Sequence, residues 1–141
     1  MMMKKIVHPR QQSKKCLDSW YSRYIRLLDS NSDWMCMCIT CKKIDHRKNM
    51  QLGHFISRIM TRYRRDDRNC HVQCNECNCI KSWNIEVYEV RMRKKYGDEV
   101  VEEMKKDKRL SFTTSSRIED SIVFYKNKVN YLLSFLKDVI S

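Results

Sequence analysis

Cys38-Ile39-Thr40-Cys41 and Cys74-Asn75-Glu76-Cys77 bracket the stretch Gly53-His54-Phe55-Ile56-Ser57-Arg58. Each Cys-x-x-Cys knuckle aims two thiolates at one point. The two pairs together can close one tetrahedral zinc site with Zn–S distances of about 2.3 Å. A full shell of thiolates leaves no open position for water, so such a zinc is structural. It braces the segment between the knuckles, and any chemistry must come from other side chains. The expected fold class is α+β, a small zinc-stabilised core flanked by N- and C-terminal helices.

Composition narrows the partners. The chain has 141 residues, enough for one compact core with helical extensions. Its 29 Lys and Arg against 17 Asp and Glu leave a net charge of +12. That excess favours a polyanion, and nucleic acid is the first candidate. No basic amphipathic helix with a bulky apolar face suggests a membrane surface instead. No apolar run approaches the ~18 residues that span a bilayer, and Met1–Arg10 lacks an apolar stretch of signal-peptide length. An intracellular location is therefore expected. In a reduced compartment the eight cysteines point to metal rather than disulfides. Cys16, Cys36, Cys70 and Cys79 have no assigned role. Most are expected to be buried thiols, with Cys36 and Cys79 close enough to the knuckles to be alternative ligands.

With two glycines and one proline, tight turns are scarce, which argues for helices joined by irregular polar loops. Residues 1–12 read as a basic arm. Residues 13–107 read as the core with its N-terminal helix, and residues 108–141 as a connection and C-terminal helix. Leu17, Trp20, Tyr21, Tyr24, Leu27 and Leu28 recur at helical spacing up to the break at Asp29–Asp33. Lys42–Asn49 reads as a charged loop and Met50–Ser57 as an extended arm of a hairpin. The second knuckle leads into a helix through Tyr96, with Gly97 as its stop. Asp98 caps a short helix to about Lys106. In the last helix, about Arg117 to Val139, Ile118, Ile122, Tyr125, Val129, Leu132, Leu136 and Val139 form a heptad-like stripe. That stripe must be buried, either on the first helix or against a second copy in a homodimer.

Among residues with chemistry to offer, His54 stands out. It lies between the knuckles in an expected strand, with Asn69 and Asn78 downstream. Hydrolysis of a phosphodiester needs a base to deprotonate water and a cation to stabilise charge. A neutral imidazole is such a base when its other nitrogen is held. Asn and Asp oxygens suit a magnesium-like ion. Arg58, Arg62, Arg64, Arg65 and Arg68 flank this region. Their guanidinium forks suit phosphate oxygens and carry no base identity, so they read as a DNA-backbone grip. No helix with several base-reading side chains stands out, which suits recognition of shape. Trp83 either stacks on an unpaired base or packs in the core. His8 and His46 read as solvated surface residues.

Three groups of residues carry a family resemblance. They are Gly53-His54-Phe55-Ile56-Ser57-Arg58, then Asn69-Cys70-His71-Val72-Gln73-Cys74-Asn75-Glu76-Cys77-Asn78, then Tyr88 with Tyr96-Gly97. They resemble the NinG/Rap family of lambdoid phage recombination proteins over about Cys38 to Gly97. The resemblance implies a ββα-metal (HNH) core and a structure-selective endonuclease. Such an enzyme cuts branched DNA, such as Holliday junctions and D-loops, in the cytoplasm of an infected bacterial host. It also implies one catalytic divalent ion, Mg2+ or Mn2+, and products with 5′-phosphate and 3′-hydroxyl ends. His54 resembles the general base, Asn69 the middle Asn that positions the base or steadies the loop, and Asn78 a ligand of the catalytic metal. Lys81 completes Cys77-Asn78-Cys79-Ile80-Lys81, similar to the Cys-Asn-x-x-Lys pattern, and joins the expected DNA contacts. The chain departs from many HNH enzymes at Gly53, where an acidic metal ligand often stands. A second protein ligand is then sought among His71, Asp66 and Asn84, with a structural role open for His71. Two other readings keep the same residues: a non-catalytic zinc module that binds DNA or a protein, and a sequence-specific HNH endonuclease.

Overall fold

The computed structural model describes residues 9–110 and 114–140, the last three of these by backbone alone. Four helices and four short strands follow one another. They are α1 (Pro9–Leu28), β1 (Met35–Met37), β2 (Ile44–His46), β3 (Met50–His54), β4 (Cys70–Cys74), α2 (Ile85–Tyr96), α3 (Asp98–Lys106) and α4 (Ser115–Ile140). The strands form two separate antiparallel pairs, β1 with β2 and β3 with β4. The architecture is α+β, as the sequence leads one to expect.

Helix α1 begins at Pro9, whose fixed φ and missing N–H are tolerated in a first turn. Pro9–Gln12 therefore belong to the helix and not to a basic arm; residues 1–8, with Lys4, Lys5 and His8, lie outside the described residues. Leu17, Tyr21 and Ile25 are buried at four-residue steps along it. After α1, the Asn31 side-chain oxygen accepts from the backbone N–H of Asp33 and Met35. This local turn redirects the chain into β1. The stretch expected as a charged loop at Lys42–Asn49 instead holds β2 and a 3-10 turn at Arg47–Asn49.

The β3–β4 hairpin is the centre of the molecule. Its register pairs Met50 with Cys74, Leu52 with Val72, Gly53 with His71 and His54 with Cys70. Successive residues of a strand face opposite sides. Met50, Cys70, Val72 and Cys74 pack with Tyr21 and Ile25 of α1, with Tyr125 of α4 against them. A second core gathers Phe55, Tyr63, Tyr88, Met92, Val101 and Met104 from the loop after β3 and from α2 and α3. Strand β3 ends at His54, three residues earlier than the expected extended arm. The chain then bends into a loop whose backbone is held by side chains.

Helix α2 stops at Gly97, which adopts φ 90° and returns its N–H to the Arg93 carbonyl. Helix α3 carries Asp98 and Glu99 in its first turn and Lys105 and Lys106 in its last, matching the helix dipole. Helix α4 packs on α1: along its stripe Ile118 and Val129 are buried, Ile122, Leu132 and Leu136 are half-buried, and Tyr125 meets Tyr21 edge-on at 5.1 Å between ring centroids, while the Val139 side chain lies outside the described residues. A different row, Phe124, Tyr131 and Phe135, stays more than half exposed. No helix among the described residues is long and apolar enough to cross a membrane.

Candidate functional site

The first knuckle follows β1. The Cys38 N–H donates to the Lys43 carbonyl at 2.8 Å, and the Lys42 N–H donates to the Cys38 carbonyl at 3.0 Å. Lys42 takes a left-handed φ of 66° to close this turn. The second knuckle ends β4 and enters a π-helical turn, Glu76–Ile80, which carries Cys77 and Asn78. The sulfurs of Cys38, Cys41, Cys74 and Cys77 all lie within 4.8 Å of one another. A tetrahedron with Zn–S of about 2.3 Å has edges of roughly 3.8 Å, and Cys41 and Cys74 are already 3.7 Å apart. The donor set and its spacing fit a structural zinc. At Cys38, burial works against ionisation, but hydrogen bonds from the Thr40 hydroxyl and nearby backbone N–H groups outweigh it. The thiol is lowered to about 6. Cys36 is no alternative ligand, since its thiol donates to the Arg26 carbonyl at 3.2 Å. Cys79 lies exposed and donates to Gln51 Oε1 at 3.2 Å. Cys16 is exposed as well, so of the four unassigned cysteines only Cys36 and Cys70 are buried.

His54 closes β3 and lines a cleft of about 670 Å³ together with Lys15, Asp18, Arg58, Arg64 and Asn78. Its Nε2 lies 2.9 Å from the Arg64 carbonyl oxygen. A carbonyl only accepts, so Nε2 carries the proton and Nδ1 keeps its lone pair. Burial lowers the imidazole pKa below the usual 6.5, opposed by the bond to the Arg64 carbonyl and by Asp18 and aided by the charges of Arg58 and Arg64. His54 is thus a neutral base near pH 7.

Asn78 lines the same cleft from the π-helical turn. Its Nδ2 donates to Gln51 Oε1 at 2.8 Å, and Gln51 in turn donates to Asn75 Oδ1 at 3.0 Å. This chain fixes the amide with Asn78 Oδ1 buried and without a hydrogen-bond partner. A buried amide oxygen left unpaired is costly unless something fills its lone pairs. An oxygen-loving cation does so.

Asn69 sits apart from the cleft, fully buried. Its Nδ2 donates to the carbonyls of Ile56 at 2.9 Å and Tyr63 at 3.0 Å, and its Oδ1 accepts from the Ile56 N–H at 2.6 Å. It staples the loop that presents the Arg64 carbonyl to His54. Its part is loop-holding.

The candidate second ligands fall elsewhere. His71 pairs with Gly53, one residue out of phase with His54, and so faces the other side of the hairpin. Its Nδ1 meets the Tyr88 hydroxyl at 3.0 Å and its Nε2 the Tyr96 hydroxyl at 2.9 Å. Burial pushes it down to about 3. It is a core histidine with both nitrogens engaged. Asp66 grips the Arg68 side chain and N–H. Asn84 donates to Cys77 Sγ at 3.7 Å. None of the three lines the His54 cleft.

The arginine cluster is also not a free grip. Arg64 and Arg65 both pair with Asp18, Arg62 with Asp107, and Arg68 with Asp66. Lys81 pairs with Glu76 at 3.3 Å. Arg58, exposed on the cleft rim, makes no ion pair among the described residues. Asp18 escapes sequence reasoning because its partners lie 46 and 47 residues away. The one available signal is that it is the only acid in α1. Gln51 gives no signal at all.

Gly53, where an acid often stands, is explained by packing. A Cβ there would lie 2.0 Å from Gln73 Oε1. Gln73 is itself buried and tied to Trp83 O at 2.9 Å and Thr40 Oγ1 at 3.3 Å. Gly53→Ala is expected to destabilise the fold by about 1–3 kcal/mol through overpacking, read as a lower urea midpoint. An unchanged midpoint would mean that Gln73 moves aside freely.

Trp83 rims an adjoining cleft with His54, Ser57, Arg58 and Asn78. Ser82, Trp83 and Asn84 have φ of 46°, 67° and 48°, three successive non-glycine residues in the left-handed region. That strain breaks the expected helix after the second knuckle and leaves Trp83 half exposed.

No curated protein and no solved structure matches the chain. The family model described as the bacteriophage lambda NinG protein matches residues 1–134. That span holds the knuckles, the hairpin, the cleft and most of α4, and the chain belongs to the NinG family.

Proposed function

We propose that this protein is a metal-dependent endonuclease that hydrolyses phosphodiesters in branched DNA, with β3, β4 and the π-helical turn serving as an HNH-type core. The observation that carries this reading is one cleft lined by an imidazole with a free Nδ1 and an amide with an unpartnered Oδ1. His54 Nδ1 takes the proton of the attacking water. Asn78 Oδ1 would hold Mg2+ or Mn2+, the remaining positions falling to water and DNA phosphate oxygens, as magnesium prefers. Bound there, the ion supplies charge stabilisation for the phosphate and the departing oxygen. The Arg64 side chain is held by Asp18 while its carbonyl holds His54, so this pair positions the base. Lys15 and Arg58 meet the phosphates of the bound strand. Trp83 stacks on a base left unpaired near a branch point.

The test compares a linear duplex, a D-loop and a four-way junction, each with and without added Mg2+ or Mn2+. Branched substrates should be cut only with the ion, leaving 5′-phosphate ends, and the linear duplex should be spared. Trp83→Ala should erase several-fold of that preference and Trp83→Phe should keep it. Failure to cut anything with metal present would leave a zinc-containing binding module. Cutting of linear DNA at one sequence would make the protein a sequence-specific enzyme.

A further inference from the structure

A second cleft, about 530 Å³, opens among the first knuckle, β4 and α2. Lys42, Arg91, Lys94 and Lys95 line it, with Asp29 as its one acid. It shares no lining residue with the His54 cleft. His71 stands at its wall, on the hairpin face opposite His54.

Both clefts hold positive charge that no carboxylate pairs. In the His54 cleft, Asp18 pairs with Arg64, while Lys15 and Arg58 form no ion pair among the described residues. In the second cleft, Lys42, Arg91 and Lys94 form no ion pair among the described residues. Arg91 Nε is moreover buried with no hydrogen-bond partner. A buried guanidinium N–H without an acceptor is costly, and a phosphate oxygen is the acceptor its fork geometry fits best. Lys95 lies with its ammonium 5.5 Å from the centre of the Tyr96 ring, beside the same cleft.

We propose that this second cleft binds the phosphate backbone of a second duplex arm of the branched DNA whose first arm lies at His54. This rests on the branched-DNA part of the proposed function. A straight duplex cannot reach both faces of the hairpin at once. A junction can, because its arms diverge. Selectivity for branched DNA then arises from two phosphate grips with fixed separation, with no need to read bases.

The test measures binding rather than cutting, without divalent ions, on a four-way junction and a linear duplex of equal arm length. The variants are Arg91→Gln/Lys94→Gln/Lys95→Gln and the milder Lys42→Gln/Lys94→Gln. The milder pair carries the test if the triple variant fails to fold. Junction affinity should fall about tenfold or more in the triple variant, with linear-duplex affinity held within about twofold. The slope of log affinity against log salt for the junction should flatten by roughly 0.9 for each phosphate no longer neutralised. Unchanged junction binding and slope would overturn the proposal, and point to an acidic protein as the cleft's partner instead. Equal losses on both DNAs would also overturn it, since the cleft would then be a general attraction. A wild-type protein that cuts nothing, yet loses junction preference in these variants, would sink the nuclease reading and leave this one standing.

Discussion

His54→Ala is expected to reduce cleavage of branched DNA by about 100- to 10,000-fold, the usual worth of a positioned general base. Junction affinity should change little, because the imidazole spends its Nε2–H on the Arg64 carbonyl and contributes no charge near neutral pH. The pH profile of kcat/KM makes the assignment sharper. The base must be neutral to act, so the rate falls as pH drops through the His54 pKa. Burial holds that pKa below 6.5, and the acid limb should lie below 6.5. A purified variant that still cuts at the wild-type rate would remove His54 from the chemistry. An acid limb well above 6.5 would assign it to another group.

The second large effect concerns the sulfurs. Stripping metal, or replacing Cys74 by serine, is expected to abolish cooperative unfolding altogether. Binding of structural zinc in small domains is worth on the order of 10 kcal/mol or more, comparable with the whole stability of a typical domain of about 5–15 kcal/mol. The buried thiols of Cys38, Cys74 and Cys77 sit among or beside the residues that pack α1 onto the hairpin. Opening the site would expose that core. Atomic absorption should find one zinc per chain, and circular dichroism should follow its loss. A metal-free protein melting at the wild-type temperature would show that the sulfurs do not brace the fold.

Short-range signals in the sequence carried well. Cysteine spacing anticipated four sulfurs converging, and helical spacing anticipated the stripe of α4 that packs on α1. Gly97 marked the end of α2. Each knuckle, the apolar spacing and the Gly97 stop depend on residues close in sequence, and the meeting of the two knuckles, 33 residues apart, follows from the four ligands that zinc requires. The misreadings share the opposite cause. His71 was open between ligand and core because its face depends on the register of β4 against β3, with Gly53 as partner. Arg62, Arg64 and Arg65 read as a phosphate grip because Asp107 and Asp18 lie far away along the chain, whereas Arg68 pairs with Asp66 only two residues before it. The break at Ser82–Asn84 follows no local rule, since none of the three is glycine. Its support is tertiary, through the bond from Gln73 to the Trp83 carbonyl.

Arg64 is gripped at both ends, its guanidinium by a carboxylate of the first helix and its carbonyl by the imidazole. It therefore ties the first helix to the imidazole through one residue. In the proposed function, a strand that shifted α1 on docking would also shift the ring that holds the lone pair, because one residue touches both.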